Sequence, residues 1–369
     1  MNVLITGGAG FIGSHLAKAL LAAGHRVISF DNLHPQVHAG QPVHLPSGAE
    51  LVVADVRNRP ALWQAVQRVD AIYHLAALTG VGQSMYQVAE YTDVNVRGTA
   101  TLLDILANES HHVRRLILAS SRAIYGEGAY ECVTCGPVPV AGRDRASLEA
   151  GIWDPLCPRC AATLQPQPTP ESHTPIPGSV YAASKLAQEH LVRCVGAAYG
   201  LEVIILRYFN VYGPGQSLAN PYTGILSIFF SRLQAGNRIE VYEDGLESRD
   251  FVHVSDAVQA SLLALERPQA ASQTFNVGSG QATSVLEIAR RIAQLAGHPD
   301  GFHVSGRFRV GDIRHCHAEI TKARRLLGYS PKVALHEGLA DFLDWASAQE
   351  IHHQSHQAER ELVEHGLFR

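Results

Sequence analysis

Short apolar runs alternate with stretches of helical periodicity along most of the chain. A buried strand of a parallel sheet is a continuous apolar run, and the helices between such strands bury one face at a spacing of three to four residues. The runs predict strands at 3–5, 26–30, 51–54, 71–75, 116–119, 238–241 and 274–277. The periodic stretches predict helices at 11–23, 83–108, 181–199, 225–235, 254–266, 284–296, 318–327 and 335–347. This alternation predicts an α/β chain built on a Rossmann-type, doubly wound parallel sheet.

The first apolar run breaks into glycines and continues as a helical pattern, in the stretch NVLITGGAGFIGS of residues 2–14. Gly7, Gly10 and Gly13 stand three residues apart, and Gly8, Gly10 and Gly13 also satisfy G-x-G-x-x-G. Such glycines form a tight turn, let the backbone approach a pyrophosphate and let the helix pack closely on the strand. An ordinary glycine turn could carry the same triplet, but Asp31 follows the next strand at about the 20-residue distance that a dinucleotide fingerprint requires. The stretch therefore predicts a dinucleotide site at the helix N-terminus.

The carboxylate of Asp31 sets the choice of cofactor. It can accept hydrogen bonds from both adenosine ribose hydroxyls, whereas a 2′-phosphate would meet like charge with no arginine at the next positions. The predicted cofactor is therefore NAD rather than NADP. Asp55 is predicted to reach the adenine, and Ala76 and Ala77 to let the backbone approach the dinucleotide, although small residues at a strand end are also common in packing. The other predicted cofactor contacts are Phe11, Ile12, Asn32, Val56, Leu75 and Asn95.

Two further stretches carry candidate catalytic groups. The fifth strand runs into SSRAIYG at 120–126, and in a doubly wound sheet the chemistry lies outside the carboxyl ends of the strands. Tyr181 and Lys185 stand four residues apart on a predicted helix, which places phenol and ammonium on one face. A free tyrosine has a pKa of about 10, and the ammonium and a positive nicotinamide ring both favour the phenolate, so that Tyr181 becomes a proton acceptor. This spacing alone is common in helices, but beside the dinucleotide fingerprint and Ser121 it predicts a catalytic group.

Composition narrows the possible partners. The chain has 369 residues, 46% of them hydrophobic, and a formal net charge of -4. This balance supplies a large core but no basic field, so no nucleic-acid partner is expected. The first strand begins at residue 2 and no apolar run approaches the roughly 18 residues of a membrane span, which predicts a cytoplasmic protein with no membrane partner.

His34, His38 and His44 lie in a predicted polar loop at 32–50, where solvated histidines are favoured over a metal site.

Ten stretches together resemble the extended short-chain dehydrogenase/reductases that act on nucleotide sugars, and the resemblance covers nearly the whole chain. They are TGGAGFIG (6–13), Asp31, HLAA (74–77), NVRGT (95–99), SSRAIYG (120–126), YAASK (181–185), RYFNVYGPG (207–215), RDFVHV (249–254), NVGSG (276–280) and RVGDIR (309–314). The resemblance implies NAD as cofactor, a nucleotide-diphosphate sugar as ligand, and a homodimer formed through a four-helix bundle. It implies that Ser121, Tyr181 and Lys185 are catalytic, the last two also touching the cofactor. It further implies substrate contacts by Ser121, Arg122, Asn210, Arg249, Arg309 and Asp312.

The resemblance implies that different residues contact different parts of the ligand. Asn210 is implied to contact the sugar diphosphate, Arg249 and Arg309 its phosphates, and Asp312 the nucleoside ribose. Arginine suits a diphosphate because its fork can donate two parallel hydrogen bonds to phosphate oxygens. An Arg249 that merely pairs with the neighbouring Asp250 is the alternative interpretation.

The two residues after the catalytic serine discriminate between reactions within this family. Its 4,6-dehydratases carry an Asp-Glu pair there and its decarboxylases an acid, whereas this chain has Arg122 and Ala123. Neither can supply the carboxyl that elimination needs. The predicted reaction is therefore inversion at C4 through a 4-keto sugar, with tightly bound NAD regenerated in each turnover. The alternatives are an NAD-linked nucleotide-sugar oxidoreductase and a non-catalytic dinucleotide sensor, which is disfavoured because Tyr181 and Lys185 are both present.

Two Cys-x-x-Cys pairs lie between the serine loop and Tyr181. Cys132 and Cys135 are separated from Cys157 and Cys160 by 21 residues. Pairs of this kind form knuckles whose four thiolates close a tetrahedral zinc site. Two local disulfides or a redox pair are the alternatives, and a cytoplasmic setting disfavours the disulfides. A closed four-cysteine site has no open coordination position, which predicts a structural zinc ion that stabilises this insertion near the sugar pocket.

The insertion together with SSRAIYGEG resembles a bacterial subgroup of the family that interconverts dTDP-L-rhamnose and dTDP-6-deoxy-L-talose. This pair is the predicted substrate and product, with UDP-glucose and UDP-N-acetylglucosamine as alternatives. In galactose epimerases the residue four beyond the position of Asp312 helps to gate substrate size, and here it is the small Cys316. Cys194 and Cys316 are otherwise predicted to fill the core or a pocket.

The domain boundaries follow from these assignments. Residues 1–210 are predicted to form the NAD-binding domain, interrupted by the cysteine insertion at 127–178 and completed by sheet residues from about 250–280. Residues 211–350 are predicted to form mainly the substrate-binding lobe. The tail at 351–369 carries His352, His353 and His356 and is predicted to be a frayed, solvated helix.

Overall fold

Strands and helices alternate along the chain as the apolar pattern indicates. The computed structural model describes residues 1–38, 45–218, 220, 222, 224–309, 311–349 and 355–368. The strands are β1 (Asn2–Thr6), β2 (Arg26–Asp31), β3 (Ala49–Val53), β4 (Ala71–His74), β5 (Arg115–Ser121), β6 (Ala129–Cys132), β7 (Gly136–Val138), β8 (Gln165–Gln167), β9 (Glu202–Tyr208), β10 (Asn210–Tyr212), β11 (Ile239–Val241), β12 (Ser248–Arg249), β13 (Phe251–His253), β14 (Thr274–Val277), β15 (Thr283–Ser284), β16 (Phe302–Val304) and β17 (His315–Cys316). The helices are α1 (Phe11–Ala22), α2 (Pro35–His38), α3 (Arg59–Val66), α4 (Val88–Tyr91), α5 (Gly98–Asn108), α6 (Arg145–Glu149), α7 (Val180–Tyr199), α8 (Ile225–Gln234), α9 (Val254–Glu266), α10 (Val285–Leu295), α11 (Thr321–Leu327), α12 (Leu335–Ser347) and α13 (Ser355–Glu364). Among these described helices, none is long and apolar enough to cross a membrane.

A seven-stranded parallel sheet in the order β3-β2-β1-β4-β5-β9-β14 forms the centre of the fold. Buried side chains pair across it in register, as Leu4 of β1 does with Ile28 of β2 and Ile72 of β4. Apolar cores built from both strands and helices cover the sheet, as continuous apolar strands require. The strand order reverses between β1 and β4, which places a crevice at the carboxyl ends of these strands. The structure confirms the predicted doubly wound fold.

One strand of the central sheet is missing from the prediction. β9 carries the run EVIILRY, whose last six residues are buried. Its signal is the same continuous apolar run that identifies the other strands. β9 joins β5 to the edge strand β14, and its Arg207 donates two hydrogen bonds, of 2.9 and 2.8 Å, to the buried carboxylate of Glu189 on α7.

The predicted helical region over 83–108 is helical along most of its length but is not one regular α-helix. The segment divides into a 3-10 turn (Gln83–Met85), α4, a π-helical turn (Thr92–Arg97) and α5. A π-helical turn holds one extra residue, which changes the direction of the side chains relative to a regular helix. Asn95 lies in this turn with its side chain fully buried.

The predicted loop over 32–50 also differs from the structure. α2 lies within this segment, and β3 begins at Ala49. The half-buried His38 places its Nε2 3.7 Å from the Asp31 carboxylate, so this histidine is not simply solvated. His44 lies outside the described residues.

A second apolar core is built from residues after 211. α8 and α12 pack on α10, and β11 and β13 pack against these helices. Phe230, Ile288 and Phe342 are fully buried there. The chain returns from this region to the central sheet through β14, and α9 packs on α1.

The cysteine insertion forms a small antiparallel sheet in the order β7-β6-β8. Tyr130, Val138 and Leu164 make an apolar cluster around Cys132 and Cys157. Backbone hydrogen bonds from Gly128 and Thr169 to residues 315 and 317 hold the two ends of the insertion beside β17.

The C-terminal tail is helical, as predicted, but residues 360–368 are attached to the rest of the protein at several points. The Glu361 carboxylate accepts hydrogen bonds from the hydroxyls of Tyr86 at 2.6 Å and Tyr222 at 2.7 Å. The side chain of Phe368 is only 4% exposed. The predicted solvated state is therefore wrong for Glu361 and Phe368, because two hydrogen bonds and a buried ring fix them, whereas residues 360 and 363–366 are exposed. His352, His353 and the side chain of His356 lie outside the described part of the chain.

A buried arginine joins the cysteine insertion to the second lobe, which is the region that contains the second apolar core. Arg314 is 0% exposed and donates to Asp154 of the insertion at 2.7 Å and to Asp244 of the lobe at 2.6 and 2.8 Å. Glu243 accepts a further hydrogen bond of 3.1 Å from the same guanidinium. Because burial of a charge is costly, these carboxylates are what keeps the guanidinium inside the protein.

Arg314→Met is expected to destabilise the fold by roughly 3–5 kcal/mol, the usual cost of removing one partner of a buried ion pair. Arg290→Met is the matched control, because it removes an exposed arginine paired with Glu287 and should cost no more than about 1 kcal/mol. Urea unfolding followed by circular dichroism measures both effects. Equal unfolding midpoints for the two variants would contradict the linking role of Arg314.

Candidate active site

A cleft of about 1010 Å³ opens at the carboxyl ends of the central strands. This volume lies at the top of the roughly 300–1,000 Å³ range of ligand pockets, which indicates room for more than one ligand. The cleft brings together residues that are far apart in the sequence. It is lined by every predicted cofactor, catalytic and substrate residue except Asn95: Gly7, Gly10, Phe11, Ile12, Gly13, Asp31, Asn32, Asp55, Val56, Leu75, Ala76, Ala77, Ser121, Arg122, Tyr181, Lys185, Asn210, Arg249, Arg309 and Asp312.

The glycine loop forms the part of the cleft at the start of α1. Gly7 has a φ of +71°, and a Cβ added there would lie 2.8 Å from the Ala76 nitrogen. A Cβ added at Gly13 would lie 2.3 Å from the Gly7 carbonyl oxygen. Only glycine permits both approaches. No side chain caps the first amides of α1, which are the groups that bind phosphate in dinucleotide folds.

Asp31 lies at the end of β2 beside this loop. Its carboxylate accepts hydrogen bonds from the Ala9 amide at 3.0 Å and the Leu33 amide at 2.9 Å. Burial alone would raise the pKa of Asp31, but these amides and a hydrogen bond from His38 lower that pKa below its usual value. The group is therefore an anion at neutral pH, as the choice of NAD over NADP requires.

Asp55 and Asn32 lie on the same wall of the cleft and hydrogen-bond to each other at 3.1 Å. Asp55 also pairs with Arg57 at 2.7 Å, which lowers the pKa of this carboxyl to about 2. The polar surface next to Asp31 is thus a fixed arrangement of a carboxylate, an amide and a guanidinium.

Asn95 was predicted to contact the cofactor, but it does not line the cleft. Its amide nitrogen donates to the Ser184 hydroxyl on α7 at 2.9 Å, and its oxygen accepts from the Leu78 amide at 2.8 Å. The structure therefore makes Asn95 a brace between the segment after β4 and the helix that carries Tyr181.

Ser121 and Tyr181 meet at the end of β5. The Ser121 hydroxyl caps the 3-10 turn Arg122–Tyr125 and accepts from the Ala123 amide at 3.1 Å. Tyr181 lies in the first turn of α7, and its amide donates to the Ser84 hydroxyl at 3.0 Å. Burial raises the pKa of the Tyr181 phenol, whereas the neighbouring Ser121 hydroxyl and the nearby Arg122 charge lower it. The hydroxyl and the phenol can thus bind one substrate oxygen between them.

Lys185 lies one helical turn after Tyr181 and is buried. Its ammonium donates to the Ala119 carbonyl at 2.9 Å, which ties α7 to β5. Burial lowers the pKa of Lys185 to about 7, while the Glu189 carboxylate acts in the opposite direction. The spacing of four residues places this ammonium on the same face of α7 as Tyr181.

Two arginines converge on one carboxylate in another part of the cleft. Asp312 pairs with Arg249 at 3.1 Å and with Arg309 at 2.9 Å. Burial would raise the pKa of Asp312, but the two guanidinium charges hold it well below its usual range. Asp250 is not the partner of Arg249, because it accepts hydrogen bonds from the amides of residues 279, 280 and 318. Both arginines are therefore placed to donate to an anionic ligand.

Several buried polar atoms that line the cleft have no hydrogen-bond partner among the described residues. They are Arg122 Nη1, Arg143 Nε, Asn210 Oδ1, Gln216 Oε1, Glu247 Oε2 and Arg309 Nε. Buried polar groups are nearly always paired, so a group of exceptions in one cleft indicates a polar ligand. The set contains donors and acceptors, which suits a ligand with both phosphate oxygens and hydroxyl groups.

Known proteins similar to this chain identify its family. Residues 3–141 and 159–278 match the NAD dependent epimerase/dehydratase family. The chain belongs to this family. A dTDP-L-rhamnose 4-epimerase of Burkholderia thailandensis is 42% identical over 359 residues, which cover 95% of this chain and 96% of that protein.

Solved structures of nucleotide-sugar epimerases share the fold of this chain. UDP-glucose 4-epimerase with UDP-glucose from Thermotoga maritima has a TM-score of 0.77 and 30% identity, and covers 94% of this chain and 99% of its own. The UDP-glucose 4-epimerase of Thermus thermophilus in complex with NAD has a TM-score of 0.74 and 30% identity, covering 95% of this chain and 100% of its own.

The cysteine insertion contributes a cleft residue that sequence reasoning missed. Arg143 donates to the Asp312 carbonyl at 2.9 Å and to the Glu243 carboxylate at 2.8 Å. It lies in the segment 142–158, which the family match leaves out. No local motif marks Arg143, because these two partners are 100 and 169 residues away in the sequence.

Two aromatic residues of the cleft were also missed. The rings of Tyr242 and Phe368 lie 4.9 Å apart, and the Arg309 guanidinium lies 5.2 Å from the Tyr242 ring centroid. Tyr242 directly follows β11, and that position at a strand end was a usable signal. No sequence signal marked Phe368, because this residue of the tail contacts the cleft only in the folded chain.

The arrangement supports proton transfer at a sugar hydroxyl in this family member. Tyr181 can accept a proton from that hydroxyl while Ser121 holds the same oxygen by a hydrogen bond. NAD, when bound at the glycine loop, supplies a hydride acceptor. Arg249 and Arg309 line the same cleft, where their positive charge suits the anionic part of such a ligand.

Asp31→Asn is expected to reduce the preference for NAD over NADP by at least about tenfold, because a like-charge contact with the 2′-phosphate is removed. Asp300→Asn, at an exposed position outside the cleft, is the control and should leave the preference unchanged. Equilibrium titration of cofactor-free protein with each dinucleotide gives the two affinities. An unchanged affinity ratio in Asp31→Asn would contradict the role of this carboxylate.

Proposed function

We propose that this chain is an NAD-dependent nucleotide-sugar 4-epimerase that interconverts dTDP-L-rhamnose and dTDP-6-deoxy-L-talose. The observation that carries the proposal is one cleft in which Ser121, Tyr181 and Lys185 share a wall with both the dinucleotide loop and the two-arginine site. Family membership supports the redox chemistry, and the 42% identity to a dTDP-L-rhamnose 4-epimerase supports the substrate pair. A homodimer and a cytoplasmic location accompany the proposal as predictions from the sequence.

Each catalytic group has one role in this reaction. Tyr181 accepts the proton of the C4 hydroxyl as the hydride leaves C4, and Ser121 donates a hydrogen bond to the same oxygen. NAD, when bound, takes up that hydride and supplies it again. Lys185 stabilises the phenolate by its positive charge. The proton returns from Tyr181 to the 4-keto oxygen when the hydride reaches the opposite face of the sugar.

The residues around the serine favour epimerisation over elimination. Elimination of water needs a carboxyl group beside the sugar, and Arg122 and Ala123 provide none. The carboxyl that follows them, Glu127, already accepts a hydrogen bond from the Arg314 amide at 2.9 Å and from the Tyr130 hydroxyl at 2.8 Å. The serine loop therefore supports redox chemistry at C4 without a dehydration step.

Purified protein is expected to convert dTDP-L-rhamnose to dTDP-6-deoxy-L-talose, observed by proton NMR, with no net formation of free NADH. Tyr181→Phe should lower the rate by about 10²–10⁴-fold, because the proton acceptor is lost. Tyr199→Phe is the matched control, since this tyrosine ends the same helix and is 56% exposed.

Parallel reactions test the alternatives. Reactions with UDP-glucose and UDP-N-acetylglucosamine test whether the protein epimerises these sugars instead. Net formation of NADH in any of the reactions would favour the oxidoreductase. An absence of C4 inversion with every nucleotide sugar, while Tyr181→Phe keeps some other activity, would contradict the epimerase.

We also propose that the four cysteines of the insertion hold a structural zinc ion. The sulfur atoms of Cys132, Cys135, Cys157 and Cys160 all lie within 4.8 Å of one another, and none forms a disulfide. A tetrahedral site with Zn–S bonds of about 2.3 Å has sulfurs about 3.8 Å apart, so the cluster has the size that zinc needs. Four thiolates leave no open position for a substrate, which supports a structural role.

The turns of the insertion also suit a zinc site. Gly136 and Ala161 directly follow the two cysteine pairs and have φ values of +72° and +59°. A positive φ is unfavourable for alanine, so the fold imposes this turn on Ala161. Both turns reverse the chain after a cysteine pair, which lets the two pairs face each other.

Protein purified without chelator is expected to contain about one zinc ion per chain, as four thiolates form one closed site. Cys160→Ser should lose most of the metal and lower the melting temperature, because a ligand is removed. Cys194→Ser, which also changes an exposed cysteine, should keep both. Elemental analysis and thermal unfolding measure these effects. A metal-free wild-type protein, or full zinc content in Cys160→Ser, would contradict the site.

A further inference from the structure

The C-terminal strap, defined here as residues 360–368, is fastened to the wall of the cleft. The Glu361 carboxylate accepts hydrogen bonds from both Tyr86 and Tyr222, at 2.6 and 2.7 Å. The Tyr86 ring also stacks on His365, with centroids 4.4 Å apart and planes 11° apart. Two contacts of Tyr86 with the strap thus fix the helix α13 at this place.

The strap is attached next to the catalytic tyrosine. Leu362 packs on the backbone of Gly82, where an added Cβ would lie 3.0 Å from the leucine Cδ2. Two residues further, the Ser84 hydroxyl accepts the hydrogen bond from the Tyr181 amide. The strap therefore rests on the same short segment that positions the start of α7.

The end of the strap reaches the two-arginine site. The Phe368 ring lies 4.9 Å from the Tyr242 ring, and the Arg307 guanidinium lies 4.0 Å from the Phe368 centroid. The backbone of Phe368 forms an isolated antiparallel bridge with Arg309. Leu362, Leu367 and Phe368 line the same cleft as Arg309 and Asp312.

We propose that the strap is the outer wall of the nucleoside subsite and that the buried Phe368 positions the half-buried Tyr242 ring, on which the nucleobase of the bound nucleoside diphosphate packs. The identity of this ligand rests on the proposed function. Asp312 and the arginines would hold ribose and phosphates, so the base extends towards the neighbouring aromatic rings. A planar base stacks favourably on aromatic rings and on guanidinium groups. The cleft keeps about 1010 Å³ with the strap in place, so the strap is a wall of the site and not a plug that fills it.

Titration of NAD-loaded protein with dTDP and with UDP, followed by calorimetry, tests the contact directly. Phe368→Ala is expected to weaken nucleotide binding by about tenfold, because the Tyr242 ring loses the buried ring that holds it against the base. It should raise KM for the nucleotide sugar and leave kcat within about twofold, since the reacting atoms are untouched. Val363→Ala, on the helix α13 of the strap and 49% exposed, is the control and should bind like the wild type.

A second pair of variants tests the attachment without changing the proposed base contact. Glu361→Ala removes the acceptor for both tyrosines and is expected to weaken nucleotide binding, whereas Glu361→Gln keeps an acceptor oxygen and should restore it. NAD content and melting temperature confirm that each variant is folded.

The outcomes separate the inference from the proposed function. Wild-type affinity in both Phe368→Ala and Glu361→Ala would overturn the inference alone. Tighter binding in Phe368→Ala would also overturn it, because the ring would then be a plug. A wild-type protein that binds neither dTDP nor UDP would contradict the nucleotide-sugar function itself.

Discussion

The close approach of the glycine loop to β4 is the constraint on which the rest of the site depends. The backbones at Gly7 and Ala76 are so near that a Cβ at Gly7 would lie 2.8 Å from the neighbouring nitrogen. This contact lets α1 start directly at the edge of the sheet, with its first amides open to the cleft. The dinucleotide subsite is thereby placed beside Asp31 on one side and the end of β5 on the other. Without this approach, Ser121 and Tyr181, the proposed catalytic groups, would not share a cleft with the dinucleotide subsite.

The helix α7 connects that subsite to the chemistry. Its Tyr181 amide is held by Ser84, and its Lys185 ammonium by the carbonyl of Ala119. One turn further, the buried Glu189 binds Arg207 of β9. Groups that must act on one oxygen need a rigid support, and these buried contacts provide it. The same rigidity keeps Lys185 in a buried position, where its pKa falls to about 7.

What the sequence predicted well depends on spacing within short segments. The glycine triplet, Asp31 and the pair Tyr181 and Lys185 have fixed distances along the chain, so their chemistry follows from one strand, turn or helix. The doubly wound sheet was predicted for the same reason, although β9 was overlooked despite its apolar run. Contacts made only in the folded chain were not predictable. Asn95 turns inward because of a local π-helical turn, and Phe368 meets Tyr242 across most of the second lobe's sequence.

The central claim is that the hydrogen at C4 leaves the sugar and returns to it through a cofactor that stays bound. Epimerisation of dTDP-L-rhamnose in deuterium oxide, followed by mass spectrometry and proton NMR, tests this most directly. A hydride held on the cofactor does not exchange with solvent, so both sugars are predicted to keep protium at C4 at equilibrium. Incorporation of solvent deuterium at C4 would contradict the mechanism, because it would show that C4 is inverted by removal of a proton.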